Sequence, residues 1–351
     1  MTARTSALLV VIALVVAGCG GPSGRADAPP ASQSAGYQPA TVTDCNGRQV
    51  TFTAPPQRVV ALTTSVLELL FWLGVADKVV GIGSPPKAGT FPPEFDAAAQ
   101  RLPHLAGSYA PGSYKAVPRE QMLGARPDFV LGGFTSNFDA DGAMKQQELA
   151  DNKINSYLAL STSCPAATTS ARGDFELVYR DLRNLGAIFG VQDRAERLIA
   201  DMRAKTDDVA RKLAGTPPPA VFPFEFDEGT QTPYAPGNRQ AVNATLSLAG
   251  ARNIFGDLNK PYQKISWEEV AKRNPEAILL IVYDKGNPAE TEARFAAAES
   301  FAKSFPVLAG TPAVRGGRFA RLVYEQGSNG GVRNADAVVS LARQLFPEKM
   351  R

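Results

Sequence analysis

The chain has 351 residues, 44% hydrophobic and 20% charged, an ordinary globular composition long enough for two domains with full cores. Its 37 basic and 34 acidic residues leave a net charge of +3 with no basic run, which argues against a nucleic-acid partner. One histidine, His104, excludes a multi-histidine metal site, and no Gly-x-x-x-x-Gly-Lys loop is present to cradle nucleotide phosphates.

Residues 1–18 read as a leader rather than as part of the fold. Arg4 supplies a positive start, and ALLVVIALVVAG (7–18) is an apolar run too short to span a bilayer comfortably. The run ends in VAGC, which resembles a bacterial lipobox. That resemblance implies cleavage before Cys19, a lipid on Cys19, and a place on the extracytoplasmic face of the cell membrane. Residues 19–40 are rich in Gly, Ser, Ala and Pro and read as a flexible tether with an average span of roughly 25 Å. Cys45 and Cys164 remain. Outside the cytoplasm an even pair favours a disulfide over two separate thiols, closing a loop of 120 residues with both ends counted. In the chain-entropy picture such a bridge is worth up to roughly 4–5 kcal/mol.

The first half, residues 41–190, alternates strands and helices. RQVTFTAPPQRVVAL (48–62) reads as a strand, a Pro-Pro turn and a buried strand. TSVLELLFWLG (64–74) is a helix that Thr64 or Ser65 can cap and that Gly74 ends in the left-handed position. KVVGIG is a strand, 117–126 a helix, DFVLGG (128–133) a strand and KQQELADNKI (145–154) a helix. The second half, residues 216–351, repeats this order. AVFPFEFD (220–227) is a strand, 240–250 a helix ending in Gly250, 266–274 a helix and EAILLIVY (276–283) a strand. Such alternation predicts an α/β fold of two Rossmann-like lobes with parallel sheets.

The repetition is sharpest between VPREQMLGARPDFVL (117–131) and ISWEEVAKRNPEAIL (265–279), where Glu120 and Glu268 stand 268 − 120 = 148 residues apart. The Gly-to-Glu spacing is 120 − 74 = 46 in the first half and 268 − 250 = 18 in the second, so the first lobe carries about 28 extra residues. Between the halves, residues 191–215 place Val191, Ala195, Leu198, Met202, Thr206, Val209 and Leu213 at steps of three and four. They predict one amphipathic helix about 30 Å long joining the lobes.

These stretches resemble the substrate-binding proteins of ABC importers for ferric siderophores, haem and vitamin B12, over roughly residues 40–348. PPQRVVAL…LELLFWLGVADKVVGIG, RLPHLAG with PREQMLGARPDFVLGG, APGNRQAVNATLSLAGARNIFG and the single inter-lobe helix carry the resemblance. It implies two lobes enclosing a ligand cleft, no enzymatic activity and no resident cofactor. It implies a permease dimer and its ATPase subunits as partners, a small-molecule metal chelate as cargo, and a monomer in solution. It also implies that Glu120 and Glu268 dock into arginine pockets of the two permease subunits. Independently, a carboxylate in the first helical turn is electrostatically favoured, so each Glu alone has a bland explanation. As an acid and base pair for glycoside hydrolysis they would need carboxyl groups about 5–10 Å apart across one cleft.

In doubly wound sheets ligands bind beyond the carboxyl ends of the strands. This rule selects Ser65, Tyr109, Tyr114 and Phe134 in the first lobe and Tyr234, Arg239 and Arg333 in the second. The aromatics offer planar contact area, and the arginines suit carboxylate or catecholate oxygens of a ferric chelate. A ferric siderophore is therefore the first expectation, a corrinoid the second and haem the third. His104 lies among apolar residues with no second ligand nearby, so it is not expected to hold a metal.

Overall fold

The computed structural model describes residues 36–110, 113–162, 164 and 173–351. Cys19, the leader and most of the tether lie outside the described residues, and no described helix is long and apolar enough to cross a membrane. Two four-stranded parallel sheets form the lobes. The first runs Val79–Ile82, Val59–Ala61, Phe129–Gly132, Asn155–Leu158, and the second Arg252–Asn253, Ala220–Glu225, Ala277–Val282, Phe319–Val323. Numbered by chain order, both sheets read 2-1-3-4. The sequence repeat is therefore a repeat of topology as well.

The 148-residue offset holds to the residue. Helix Arg119–Gly124 maps onto helix Trp267–Lys272, and each leads through a left-handed residue (Arg126, φ 48°; Asn274, φ 51°) and a Pro into the third strand. The acid after each Pro has a structural task. Asp128 accepts from the backbone N–H of Gln57 and Arg58 at 2.8 and 2.9 Å, and Glu276 accepts from that of Ala220 at 2.7 Å. In both lobes a carboxylate thus satisfies backbone donors at the entry to the first strand and ties that strand to the third. Gly74 and Gly250 sit at φ 72° and 78°, each followed by an N–H that reaches back five residues to close the helix, Val75 to Leu70 and Ala251 to Leu246. The first of these helices, Thr64–Trp72, starts where expected, but neither Thr64 nor Ser65 is its cap. Its N-cap is Thr63, whose hydroxyl contacts Ser65 at 3.1 Å instead of capping the helix.

Helix Gln192–Lys212 is unbroken, as its periodicity predicts. Ala195, Ile199, Met202, Thr206, Val209 and Leu213 are buried. Ile199 takes the deep position expected of Leu198, which packs at the edge. The same hydrophobic cluster continues from this face into Leu67, Leu70 and Leu131 of the first lobe and Val221, Leu279 and Val338 of the second. Ahead of the first sheet lies a hairpin, Ala40–Thr43 with Gln49–Phe52. Cys45, just past its first strand, is bridged to Cys164 with Cα atoms 5.5 Å apart.

Both cysteines are buried, so neither should react with a thiol reagent until the protein is reduced. Reduction should lower unfolding stability by up to roughly 4 kcal/mol, read as a shift in denaturant midpoint with and without reductant.

Candidate functional site

Topological switch points lie between the first and third strands of each sheet, where ligands settle in doubly wound folds. A cavity of about 200 Å³ opens there between the lobes. Thr64, Ser65, Glu68, Ser84 and Phe91 line it from the first lobe, and Tyr283, Tyr324, Glu325, Asn329 and Arg333 from the second. A second cavity of about 470 Å³ lies against the second sheet, walled by Tyr234, Tyr262, Tyr283 and Tyr324 with Glu225, Glu228 and Lys264. Tyr283 and Tyr324 face both cavities.

The tyrosines are placed by strand register. Ala277–Val282 and Phe319–Val323 are parallel neighbours with Val282 opposite Val323, and both continue as Val-Tyr-acid. Tyr283 and Tyr324 therefore emerge side by side, ring centroids 4.5 Å apart. Next to them Tyr234 and Tyr262 stack at 5.1 Å and 19° on a two-stranded ladder, Tyr234–Pro236 with Tyr262–Lys264, and the Tyr262 hydroxyl reaches Tyr324. The carboxyls are held by phenols: Tyr262 donates to Glu225 at 3.1 Å and Tyr283 to Glu228 at 2.8 Å. Burial, with the neighbouring Glu228 charge, pushes the Glu225 carboxyl up to about 8. Burial likewise raises Glu325 to about 7. The Tyr262 ring is partly exposed but its hydroxyl is deep beside Glu225, and burial pushes that phenol well above the ordinary range.

Among the described residues, one ion pair joins the lobes across the cleft. Arg333 meets Glu68 through Nε–Oε1 at 2.9 Å and Nη2–Oε2 at 2.6 Å, with both side chains largely buried. Trp72 donates to the same Oε1 at 3.0 Å. Beside this pair the backbones of two loops meet at Gly89 and Gly286, both at positive φ, where a Cβ on either would collide with the other loop. The extra residues of the first lobe thus include the loop that reaches the second.

The expected site residues separate. Ser65 and Arg333 line the inter-lobe cavity and Tyr234 the tyrosine cavity. Arg239 lines neither of these and donates to Asn259 at 2.9 Å. Tyr114 and Phe134 also lie outside both linings; burial raises the Tyr114 phenol, and the Phe134 N–H bonds Asn137 at 2.9 Å. Tyr109 pairs with Tyr114 in a short backbone ladder, and its side chain lies outside the described residues. His104 bonds the Gly107 carbonyl at 2.8 Å. Glu120 and Glu268 are exposed, each on the first turn of its own lobe's helix.

Comparison with known proteins follows the same lines. The periplasmic binding protein family profile matches residues 59–323. The chain belongs to that family. A substrate-binding lipoprotein of an ABC transporter from Bacillus subtilis, YvrC, itself uncharacterized, is 27% identical over 78% of each chain. A vitamin B12-binding protein from Pectobacterium atrosepticum is 26% identical over 65% of this periplasmic binding protein and 72% of its own length. A crystal structure of a periplasmic binding protein from Veillonella parvula superposes with a TM-score of 0.72 at 26% identity, covering 88% of this chain and 98% of that one. The protein is thus a solute-binding component of an ABC importer rather than an enzyme.

Glu225 has a folded-state value near 8 against an ordinary 4.5. Its protonated form is the stable one when folded, so its contribution is fully present below about pH 4.5 and is lost as pH rises through about 8. Stability should fall across that window, and Glu225→Gln should flatten the fall, measured by chemical denaturation at stepped pH. Removing Glu68 leaves the Arg333 charge buried and unpaired, so Glu68→Ala should cost about 3 kcal/mol. Replacing both partners by apolar residues should recover much of that loss.

Proposed function

We propose that this protein captures a bulky metal chelate, a ferric siderophore in the first instance, between its lobes and delivers it to a membrane permease while tethered through a lipid on Cys19. The observation that carries the reading is the pair of matching switch points facing one cleft, with four tyrosines on one side. Stacked phenol rings give large, rigid contact area at low entropic cost, which suits a rounded, partly apolar complex better than a small sugar or ion. A corrinoid is the second reading, favoured by the relative from Pectobacterium atrosepticum. Glu120 and Glu268 serve in this proposal as docking carboxylates for two permease subunits. Their exposure on rigid, equivalent helices supports it, since directional arginine–carboxylate pairs can test whether both lobes are in place.

Trp72 shares the Glu68 oxygen with Arg333, so its emission should change when a ligand alters the lobe contact. Titration with ferric siderophores, cobalamin and haem should give one saturable response. A flat signal and no heat of binding for all of them would refute the chelate role. Glu120→Ala combined with Glu268→Ala should abolish uptake in cells while ligand affinity stays within about twofold. Lost affinity in that variant would remove the docking assignment.

A further inference from the structure

Much of the positive charge near the cleft is already committed, though Lys87 on the wall of the inter-lobe cavity is exposed and joins no ion pair among the described residues. Arg333 is paired with Glu68, Lys285 and Arg294 both pair with Asp227, and Arg239 is held by Asn259. The carboxyl groups of the tyrosine cavity are differently placed. Glu225 and Glu228 are held by the Tyr262 and Tyr283 hydroxyls, and among the described residues no lysine or arginine ion pair reaches either. Lys264, the one cation of the lining, is an exposed residue.

Resting on the chelate-receptor reading above, we propose that the tyrosine cavity of the second lobe receives a positively charged group of the ligand. The cargo is then a cationic chelate or corrinoid, and anionic tricatecholates are disfavoured. Three features converge on this. Ring faces attract cations through their quadrupole, and Tyr234 stacked on Tyr262 adjoins the Tyr283–Tyr324 pair along the cavity wall. Glu228 at the cavity wall adds attraction of the same sign, and Glu225, whose proton burial holds on, adds a neutral acceptor. No arginine lines the cavity to meet carboxylate, catecholate or propionate oxygens. The reading reverses the charge expected from Arg239 and Arg333, since both guanidinium groups are engaged within the protein.

Matched pairs that differ only in charge test it. One pair is a linear ferric trihydroxamate with a free pendant amine and the same chelate with that amine acetylated. The other is cobinamide with aquo ligands, which is cationic, and with two cyanides, which is neutral. A ferric tricatecholate supplies the trianion. Calorimetric titration of the mature protein should show the cationic member of the accepted pair binding about 10-fold tighter or more. Glu228→Gln should bring that ratio toward one, and Tyr234→Leu should reduce it as well. Equal affinities within each pair, or tightest binding of the tricatecholate, would overturn the charge assignment and leave the chelate-receptor role standing. Binding of none of these probes, with haem and cobalamin also silent, would remove that role itself.

Discussion

Both lobes are built on one stripe of the Gln192–Lys212 helix. Ala195, Ile199, Met202, Thr206 and Val209 follow one another at steps of four and three, and the cluster they anchor runs without a break into each sheet. Changing the angle between the lobes means sliding packed side chains on this helix, and close-packed interiors resist that. Large hinge motions of the kind that several flexible crossovers permit are therefore disfavoured. The cleft is largely preformed, and ligand selection falls to the chemistry of its walls and to one ion pair across its mouth.

Those walls differ between the lobes. The first contributes hydroxyls, Phe91 and the carboxylate of Glu68, which the second lobe's Arg333 neutralises. The second contributes tyrosines and carboxyls that phenolic hydroxyls hold in place. Duplicated topology has thus been given unequal surfaces. Arg333 and Glu68 stabilise contact between lobes, and their burial makes the loss of one partner more harmful than the loss of both. Trp72, bonded to the same carboxylate, links the core of the first lobe to that contact.

Much of the fold was legible in the sequence because it is local. Helix periodicity, the left-handed Gly74 and Gly250, and the Pro-acid step into the third strand are all short-range signals, and the structure realises them at a constant offset. The docking candidates stood out for the same reason. The cleft was read less well. Arg333 was chosen for an anionic ligand, yet its partner Glu68 lies 265 residues away in the chain, a distance no pattern encodes. Tyr283 and Tyr324 are not among the residues the strand-end rule selected. The matching Val-Tyr-acid endings were a usable sign, but only once the two strands are known to be parallel neighbours in register. Asp128 and Glu276 read as part of the repeat, and their role in holding the first strand appears only with the sheet in view.

Gly89 and Gly286 set a limit of another kind. Their loops approach until main chain touches main chain, leaving no room for even a methyl group on either residue. The closeness of the lobes at this point is thus decided by two missing side chains. An alanine at either site would act as a wedge, holding the jaws ajar by the width of one carbon atom while the Glu68 clasp strains to shut them.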